Sequence, residues 1–113
     1  LVIGMVRDPQ FGPCVMFGLG GVFTEVLRDT TFRVAPLSRE DAAEMLDEVK
    51  ARALLGEFRG QPAVDREALI DALVGIGALA LENDEIAEID INPIIVAGDR
   101  PVAVDAVVVL RRE

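Results

Sequence analysis

The chain has little cysteine, little positive charge and no long apolar run, and each scarcity excludes a class of protein. Cys14 is the single cysteine among 113 residues, so no disulfide can form within the chain. Only 11 basic residues stand against 20 acidic ones, for a formal net charge of −9, which disfavours a nucleic-acid-binding surface. The apolar runs end well before the roughly 18 residues of a membrane span, and no signal-peptide pattern is present. We therefore expect a soluble, cytoplasmic protein without nucleic-acid or membrane partners.

The residues that are present predict one domain. Hydrophobic residues make up 51% of the 113 residues, which is enough for a real core. The chain begins without methionine in an apolar run and ends just after a predicted strand. We therefore expect residues 1–113 to be a single domain that is a fragment of a longer protein.

The first third of the chain has the composition of a sheet. Residues with β-branched and aromatic side chains favour strands over three stretches: Leu1–Arg7, Cys14–Leu19, and Val22–Leu27 with Thr31–Ala35 as one interrupted strand or a hairpin. Cys14 lies in the second of these apolar strands, so we predict a core residue rather than a reactive thiol.

Two helices are predicted in the middle of the chain. Ser38 and Asp41 have the spacing of a capping box, and the helix they begin extends to Leu55. Its inward positions are predicted to be Ala42, Met45, Leu46, Val49 and Ala53. Asp65 is the predicted N-cap of a second helix that ends near Glu82. Its inward positions are predicted to be Leu69, Ile70, Leu73, Val74 and Ile76.

Residues 86–106 predict a hairpin with polar side chains on one face. Glu88, Asp90 and Asn92 alternate with isoleucines, so at the period of a strand the polar side chains share a face. Gly98 and Asp99 then provide turn residues between two apolar runs. The stretch from residue 102 to residue 110 is thereby predicted to return antiparallel and to bring Asp105 close to Asn92.

The oxygen atoms of this hairpin suit a hard cation. Mg²⁺ takes few protein ligands, keeps several waters and binds substrate phosphates, so Asp90, Asn92 and Asp105 predict a metal and nucleotide site. Asp105 lies in a run of valine and alanine, where burial of its charge would be costly unless it were paired or metal-bound. The alternative is a solvated hairpin face whose acidic residues only keep the sheet soluble.

The helices and strands together predict an α+β fold, with an antiparallel or mixed sheet and two helices on one face. The other face is then free for a ligand.

The loop Gly18-Leu19-Gly20-Gly21 has two interpretations. Glycines let backbone amides approach a phosphate, or they mark a turn that needs positive φ. The loop lacks the G-x-G-x-x-G spacing, and a β-like stretch follows it, so Rossmann and Walker sites are disfavoured. Glu25, four residues on, either faces the ligand cleft or is one of many surface acids.

Two arginines also have two interpretations. Arg7 and Arg33 could each reach a nucleotide phosphate. Pairing with a surface carboxylate is the alternative for both.

Two motifs resemble one family. The D-I-N-P string at residues 90–93, followed by V-A-V-D-A at 102–106, resembles the metal-binding end of the ATP-grasp domain of NDP-forming acyl-CoA synthetases. These enzymes are relatives of the succinyl-CoA synthetase beta chain. Residues 8–29 are similar to that family's run of Asp-Pro, Phe-Gly-Pro, a glycine-rich turn and an acidic strand. The resemblance extends over nearly the whole chain.

The resemblance implies roles for particular residues. It implies that Asn92 and Asp105 coordinate the Mg²⁺ that bridges the phosphates of ATP or ADP. It implies that Asp90 faces the incoming phosphohistidine as a catalytic residue, one methylene shorter than the glutamate of the succinyl-CoA relatives. The candidate cofactor-binding residues in the cleft are Gly20, Gly21 and Glu25.

The resemblance also implies an activity and partners. The parent enzyme would convert acyl-CoA, ADP and phosphate into free acid, CoA and ATP through a phosphorylated histidine. This chain has no histidine and matches only the C-terminal lobe of the ATP-grasp domain. The N-terminal lobe and the CoA-binding and phosphohistidine domains would therefore be partners, and the fragment alone would be inactive. A lobe without its partners would expose an apolar face, so a homo-oligomer is also expected.

Two alternatives stay open. Similar regions occur fused to acetyltransferases as regulatory modules without ligase turnover. A structural α+β domain with solubilising acids is the other alternative.

Overall fold

The computed structural model describes residues 1–19, 29–49, 55 and 62–111. Over these residues the chain forms three strands, two helices and four further strands. They are β1 (Val2–Asp8), β2 (Gly12–Gly18), β3 (Thr30–Val34), α1 (Arg39–Glu48), α2 (Arg66–Glu82), β4 (Ile86–Ile91), β5 (Ile94–Ala97), β6 (Arg100–Ala103) and β7 (Ala106–Leu110). The predicted α+β architecture is confirmed.

Five strands form the main sheet in the order β3-β2-β1-β4-β7, and β5 and β6 form a separate pair. Each of these strand pairings is antiparallel. The predicted strands Leu1–Arg7, Cys14–Leu19 and Thr31–Ala35 are confirmed to within two residues. The predicted strand Val22–Leu27 lies outside the described residues.

Helix α1 begins with the predicted capping box. The backbone N–H of Asp41 donates to Ser38 Oγ at 3.0 Å, and the N–H of Ser38 donates to Asp41 Oδ2 at 3.0 Å. The predicted end at Leu55 is wrong, because the helix ends at Glu48 and the backbone of Val49 is extended. Of the predicted inward positions, Ala53 lies outside the part of the chain that is described, and the other four are buried.

Helix α2 follows its prediction at both ends. Asp65 Oδ1 accepts from the N–H of Ala68 at 3.2 Å, and the helix ends at Glu82. The predicted inward residues Leu69, Ile70 and Leu73 are buried. Val74 and Ile76 also pack against the core as predicted, but both side chains are only half-buried.

The core lies between the two helices and one face of the main sheet. Its largest fully buried side chains are Phe17, Ile3, Met5, Met45, Leu46, Leu69, Leu73, Val15 and Val49. Helix α2 approaches the sheet closely at Gly77, where a Cβ atom would lie 3.2 Å from Leu37 Cδ1 and 3.5 Å from Ala35 Cβ. Among the described residues, neither helix is long and apolar enough to cross a membrane.

The other face of the sheet, which we call the open face, is mostly exposed. Strand register assigns residues to it, because directly paired residues of antiparallel strands point to the same side. Its exposed members are Val6, Phe32, Val34, Glu88, Asp90, Val107 and Val109. The expectation that helices cover one face only is therefore confirmed over the described residues.

Candidate functional site

Asp90 lies on the open face near the end of β4, which is flanked by β1 and the edge strand β7. It pairs with Gly4 on β1 and with Val107 on β7, and it is exposed. Its neighbour Ile89 points to the opposite side and is only 3% exposed. The predicted alternation of polar and apolar side chains along β4 is confirmed. Gly4 is buried, and a Cβ atom built on it would lie 3.4 Å from Met16 Cε, so the end of the Met16 side chain lies over β1 at this position.

Asn92 and Asp105 lie where the main sheet meets hairpin β5–β6. Asn92 directly follows β4, and Asp105 directly precedes β7. The backbone N–H of Asn92 donates to the carbonyl oxygen of Asp105 at 3.2 Å. One residue further out, the N–H of Val104 donates to the carbonyl of Pro93 at 3.0 Å. The predicted proximity of Asn92 and Asp105 is therefore confirmed.

The hairpin turns at the predicted residues. Ala97 pairs with Arg100 across Gly98 and Asp99, and Gly98 has φ of 68°, a conformation that favours glycine. The prediction of one continuous return strand is wrong. The strand breaks at Val104 and Asp105, because the hairpin leaves the main sheet there.

Asp105 is exposed, and so is every residue of β7. Its carboxylate oxygen Oδ1 accepts from the N–H of Ala106 at 2.9 Å. The prediction that Asp105 is buried is wrong, because β7 is the edge strand of the sheet. The argument for a ligand role therefore depends on the chemistry of the donor atoms and on their position, and not on a buried charge.

The donor set fits a cation that takes few ligands from the protein. Asn92 offers an amide oxygen and Asp105 a carboxylate. Asp90 offers a second carboxylate on β4, two residues before Asn92. Within residues 1–19, 29–49, 55 and 62–111, no group of three or more His, Cys, Asp or Glu side chains could hold a metal by itself. Mg²⁺ bound partly by phosphate oxygens and water fits this arrangement, whereas a cation that needs a complete protein shell does not.

The candidate cofactor-binding residues Gly20, Gly21 and Glu25 lie outside the described residues.

Arg7 has a structural role that the sequence analysis missed. Its guanidinium donates to the carbonyls of Ile86 (2.6 Å), Ala80 (2.8 Å) and Asn83 (2.9 Å), and Asp84 lies 3.9 Å away. Helix α2 has no basic residue in its own last turn, and a cation is favourable at that end of a helix. The missing basic residue in the last turn of α2 is the feature of the sequence that could have indicated a cation from elsewhere in the chain. The side chain is 12% exposed and is committed to carbonyls of the fold, so the phosphate interpretation is not supported.

Arg33 pairs with carboxylates of helix α1. This confirms the interpretation of Arg33 as a partner of surface carboxylates. Its guanidinium contacts Glu48 and lies 3.7 Å from Glu44. The hydrogen bond from Arg33 holds the pKa of Glu48 below its ordinary value.

Cys14 is half-buried on the open face, where it pairs with Val6 and Val34. The prediction of a core residue is wrong, because Cys14 faces away from the helices. Burial, with a smaller contribution from the Asp8 carboxylate, raises the pKa of its thiol. A raised pKa lowers the thiolate fraction at neutral pH, which disfavours a reactive thiol.

Comparison with known proteins gives one family. A model of the ATP-grasp domain matches residues 1–110. The beta subunit of acetate–CoA ligase [ADP-forming] I from Pyrococcus furiosus is 56% identical over 110 residues, which are 97% of this chain and 47% of that relative. Acetate–CoA ligase [ADP-forming] I from Archaeoglobus fulgidus is 46% identical over 113 residues, which are 100% of this chain and 16% of that relative.

A solved structure agrees with these relatives. Acetyl-coenzyme A synthetase 1 of Ca. Korarchaeum cryptofilum, in complex with coenzyme A and Mg-AMPPCP, superimposes with a TM-score of 0.90 at 58% identity. The match covers 97% of this chain and 52% of that one. The chain thus spans about half the length of the Pyrococcus and Korarchaeum proteins and much less of the Archaeoglobus protein. The match over residues 1–110 and the shared fold show that this chain belongs to the ATP-grasp family.

Proposed function

We propose that this chain is the metal- and nucleotide-binding part of an ADP-forming acyl-CoA synthetase, as the C-terminal lobe of its ATP-grasp domain. The observation that carries the proposal is the backbone bond that joins Asn92 to Asp105 at the edge of the open face. The parent enzyme would convert acyl-CoA, ADP and phosphate into free acid, CoA and ATP through an acyl phosphate and a phosphohistidine. The ligases reported above are similar to this chain over nearly its whole length, which favours turnover over a purely regulatory module.

Asn92 and Asp105 are the proposed metal ligands. Their backbones are held together at the hairpin root, which supports the proposal that one ion contacts an oxygen atom of each side chain. Both residues are exposed, which leaves room for water and phosphate oxygens around the same ion. Mg²⁺ at this position would neutralise charge on the phosphate oxygens during phosphoryl transfer.

Asp90 is the proposed catalytic contact to the phosphohistidine segment. It lies two residues before Asn92 on the open face, and it is exposed. A carboxylate that accepts a hydrogen bond from an imidazole N–H fixes the orientation of the ring. We propose that Asp90 orients the histidine in this way.

Further parts of the site are proposed on the resemblance alone. Gly20, Gly21 and Glu25 are the proposed contacts to the nucleotide. The N-terminal ATP-grasp lobe and the CoA-binding and phosphohistidine domains are the proposed partners. ADP and coenzyme A, the substrates of such a ligase, are present in the cytoplasm, so we propose the cytoplasm as the location of the parent enzyme. Self-association of the chain through the open face stays a prediction.

The test uses the full-length enzyme in the direction of ATP formation. Asp105→Asn keeps the shape of the side chain and removes its charge. We expect ATP formation at limiting Mg²⁺ to fall at least about tenfold, since even groups that only orient a metal ligand cost that much when removed. Asp71→Asn is the matched control, because it makes the same change on an exposed side chain of α2 that pairs with Arg39. Equal Mg²⁺ dependence in the two variants would refute the ligand assignment. Nucleotide binding without turnover in the wild type would favour the regulatory alternative.

A further inference from the structure

We propose that the backbone N–H of Asp65 positions Asn92 and Asp105 for metal binding, by holding the far end of hairpin β5–β6 on helix α2. This inference rests on the proposed metal site. It assigns Asp65 a role in that site although the residue lies at the start of a helix on the other side of the sheet.

The contact is a backbone hydrogen bond at the hairpin turn. The N–H of Asp65 donates to the carbonyl oxygen of Asp99 at 2.8 Å. Asp99 is in the two-residue turn, and Asn92 and Asp105 are at the opposite end of the same hairpin. The helix start and the predicted ligands are thus connected through the length of β5 and β6.

The hairpin is stiff enough to transmit a displacement. Its arms pair without a bulge from Ile94 with Ala103 to Ala97 with Arg100, a length of about 10 Å at the usual rise of a strand. At the root of the hairpin, two further backbone hydrogen bonds join the chain on either side: Asn92 donates to Asp105, and Val104 donates to Pro93. A turn displaced from α2 therefore tilts the arms and reorients the two ligand residues at the root relative to the main sheet.

The space between the hairpin and α2 is only partly filled. An open apolar pocket of about 160 Å³ lies between the hairpin, α2 and the sheet. Its lining residues are Ile3, Ala68, Leu69, Ala72, Ile91, Ile94, Pro101 and Ala103. The hairpin is held at its root by the N–H of Ile94, which donates to the carbonyl of Leu1 at 2.7 Å, and at its tip by Asp65. These two backbone contacts act together with the buried side chain of Ile94, which packs in the core, to hold the hairpin against α2.

Asp65 makes two contacts that mutation can separate. Its side chain caps α2 through Ala68, and its N–H holds the turn. Asp65→Ala removes the cap and keeps the N–H. Asp65→Pro removes both, and the φ of −65° at this position is the value that proline adopts. The difference between the two variants therefore isolates the bond to Asp99.

A second matched pair changes the turn and leaves α2 intact. Gly98 has φ of 68° and no atom within 4 Å of a Cβ built on it. Gly98→Val places a β-branched residue at a positive φ, which such residues disfavour. Gly98→Asn places there a residue that tolerates positive φ. This pair decides the question if Asp65→Pro does not fold.

The experiment measures binding of Mn²⁺ with ADP to the full-length enzyme by electron paramagnetic resonance. We expect Asp65→Pro to bind Mn²⁺ about 10- to 100-fold more weakly than Asp65→Ala, the range seen when groups that orient a ligand are lost. Gly98→Val should weaken binding relative to Gly98→Asn in the same direction. Hydrogen exchange at the amides of Asn92 and Val104 should be faster in the proline and valine variants than in their matched partners.

The outcomes separate this inference from the proposed function. Equal Mn²⁺ affinities within both pairs, in an enzyme whose binding depends on Asp105, would overturn the positioning role alone. Wild-type binding that Asp105→Asn leaves unchanged would overturn the proposed metal site, and the positioning role with it.

Discussion

The two faces of the main sheet differ in what covers their apolar side chains. On the helix-covered face, Phe17 and Met5 are 0% exposed. On the open face, Val6 is 47%, Phe32 52% and Val107 51% exposed. Over the described residues no helix covers this face, and Asp90 lies beside Val107 on it. One sheet thus has a face that supports the fold and a face that is about half exposed.

This division implies that stability and binding can be changed independently. Side chains between the helices and the sheet should determine the free energy of unfolding. Side chains of the open face should affect binding with little effect on stability. The following predictions test which contacts determine the free energy of unfolding, and the first compares the two faces directly.

The largest effect is expected from Leu73→Ala. Leu73 is fully buried between α2 and the sheet, and such truncations cost about 2–5 kcal/mol because they leave a cavity. Val107→Ala is the control on the open face, since it truncates an aliphatic side chain that is 51% exposed on β7. Urea denaturation of both variants measures the two losses. Similar losses would contradict the proposed difference between the covered and exposed positions.

Arg7→Ala should have the next largest effect. It removes three charged hydrogen bonds to carbonyls at the end of α2 and the start of β4, and we expect a loss of roughly 2–4 kcal/mol in the free energy of unfolding. Arg39→Ala is the control, because Arg39 pairs only at the surface with Glu67 and Asp71, where ion pairs contribute little. Thermal unfolding compares the two. An Arg7 variant as stable as the Arg39 variant would show that the helix end does not need this cation.

The smallest effect concerns the capping box and depends on pH. Hydrogen bonds from the backbone and side chain of Ser38 lower the pKa of Asp41 below its ordinary 3.8. A lowered pKa in the folded state means that the carboxylate stabilises the fold above pH 3.8 and loses this contribution as the pH falls through the lowered value. Asp41→Asn should therefore be less stable than the wild type at neutral pH, and the difference should vanish in acid. Glu40→Gln, in the same turn but outside the capping box, is the control. A difference that persists unchanged in strong acid would contradict the assignment.

Much of the fold was predictable because its signals are local. The capping box of Ser38 and the N-cap at Asp65 specify where the helices begin, and Gly98 specifies the turn of the hairpin. The early end of α1 was not predictable from periodicity, because the apolar spacing continues through Val49 although its backbone is extended. The role of Arg7 depends on residues 73 to 79 positions away, which no local pattern contains.

The candidate site was predictable in its placement and not in its burial. Alternation along β4 placed Asp90 on one face, and the turn brought Asp105 to Asn92. The apolar composition of β7 suggested burial, but its position at the sheet edge exposes Asp105. Composition indicates whether a strand favours burial, whereas the order of strands in the sheet decides what covers it.

The most direct test of the central claim is calorimetric titration of the full-length protein with Mg-ADP, for the wild type and Asp105→Asn. We predict that the wild type binds and that the variant, with an unchanged unfolding temperature, binds at least about tenfold more weakly. Equally strong binding in both proteins would contradict the claim that Asn92 and Asp105 hold the metal at the edge of the open face.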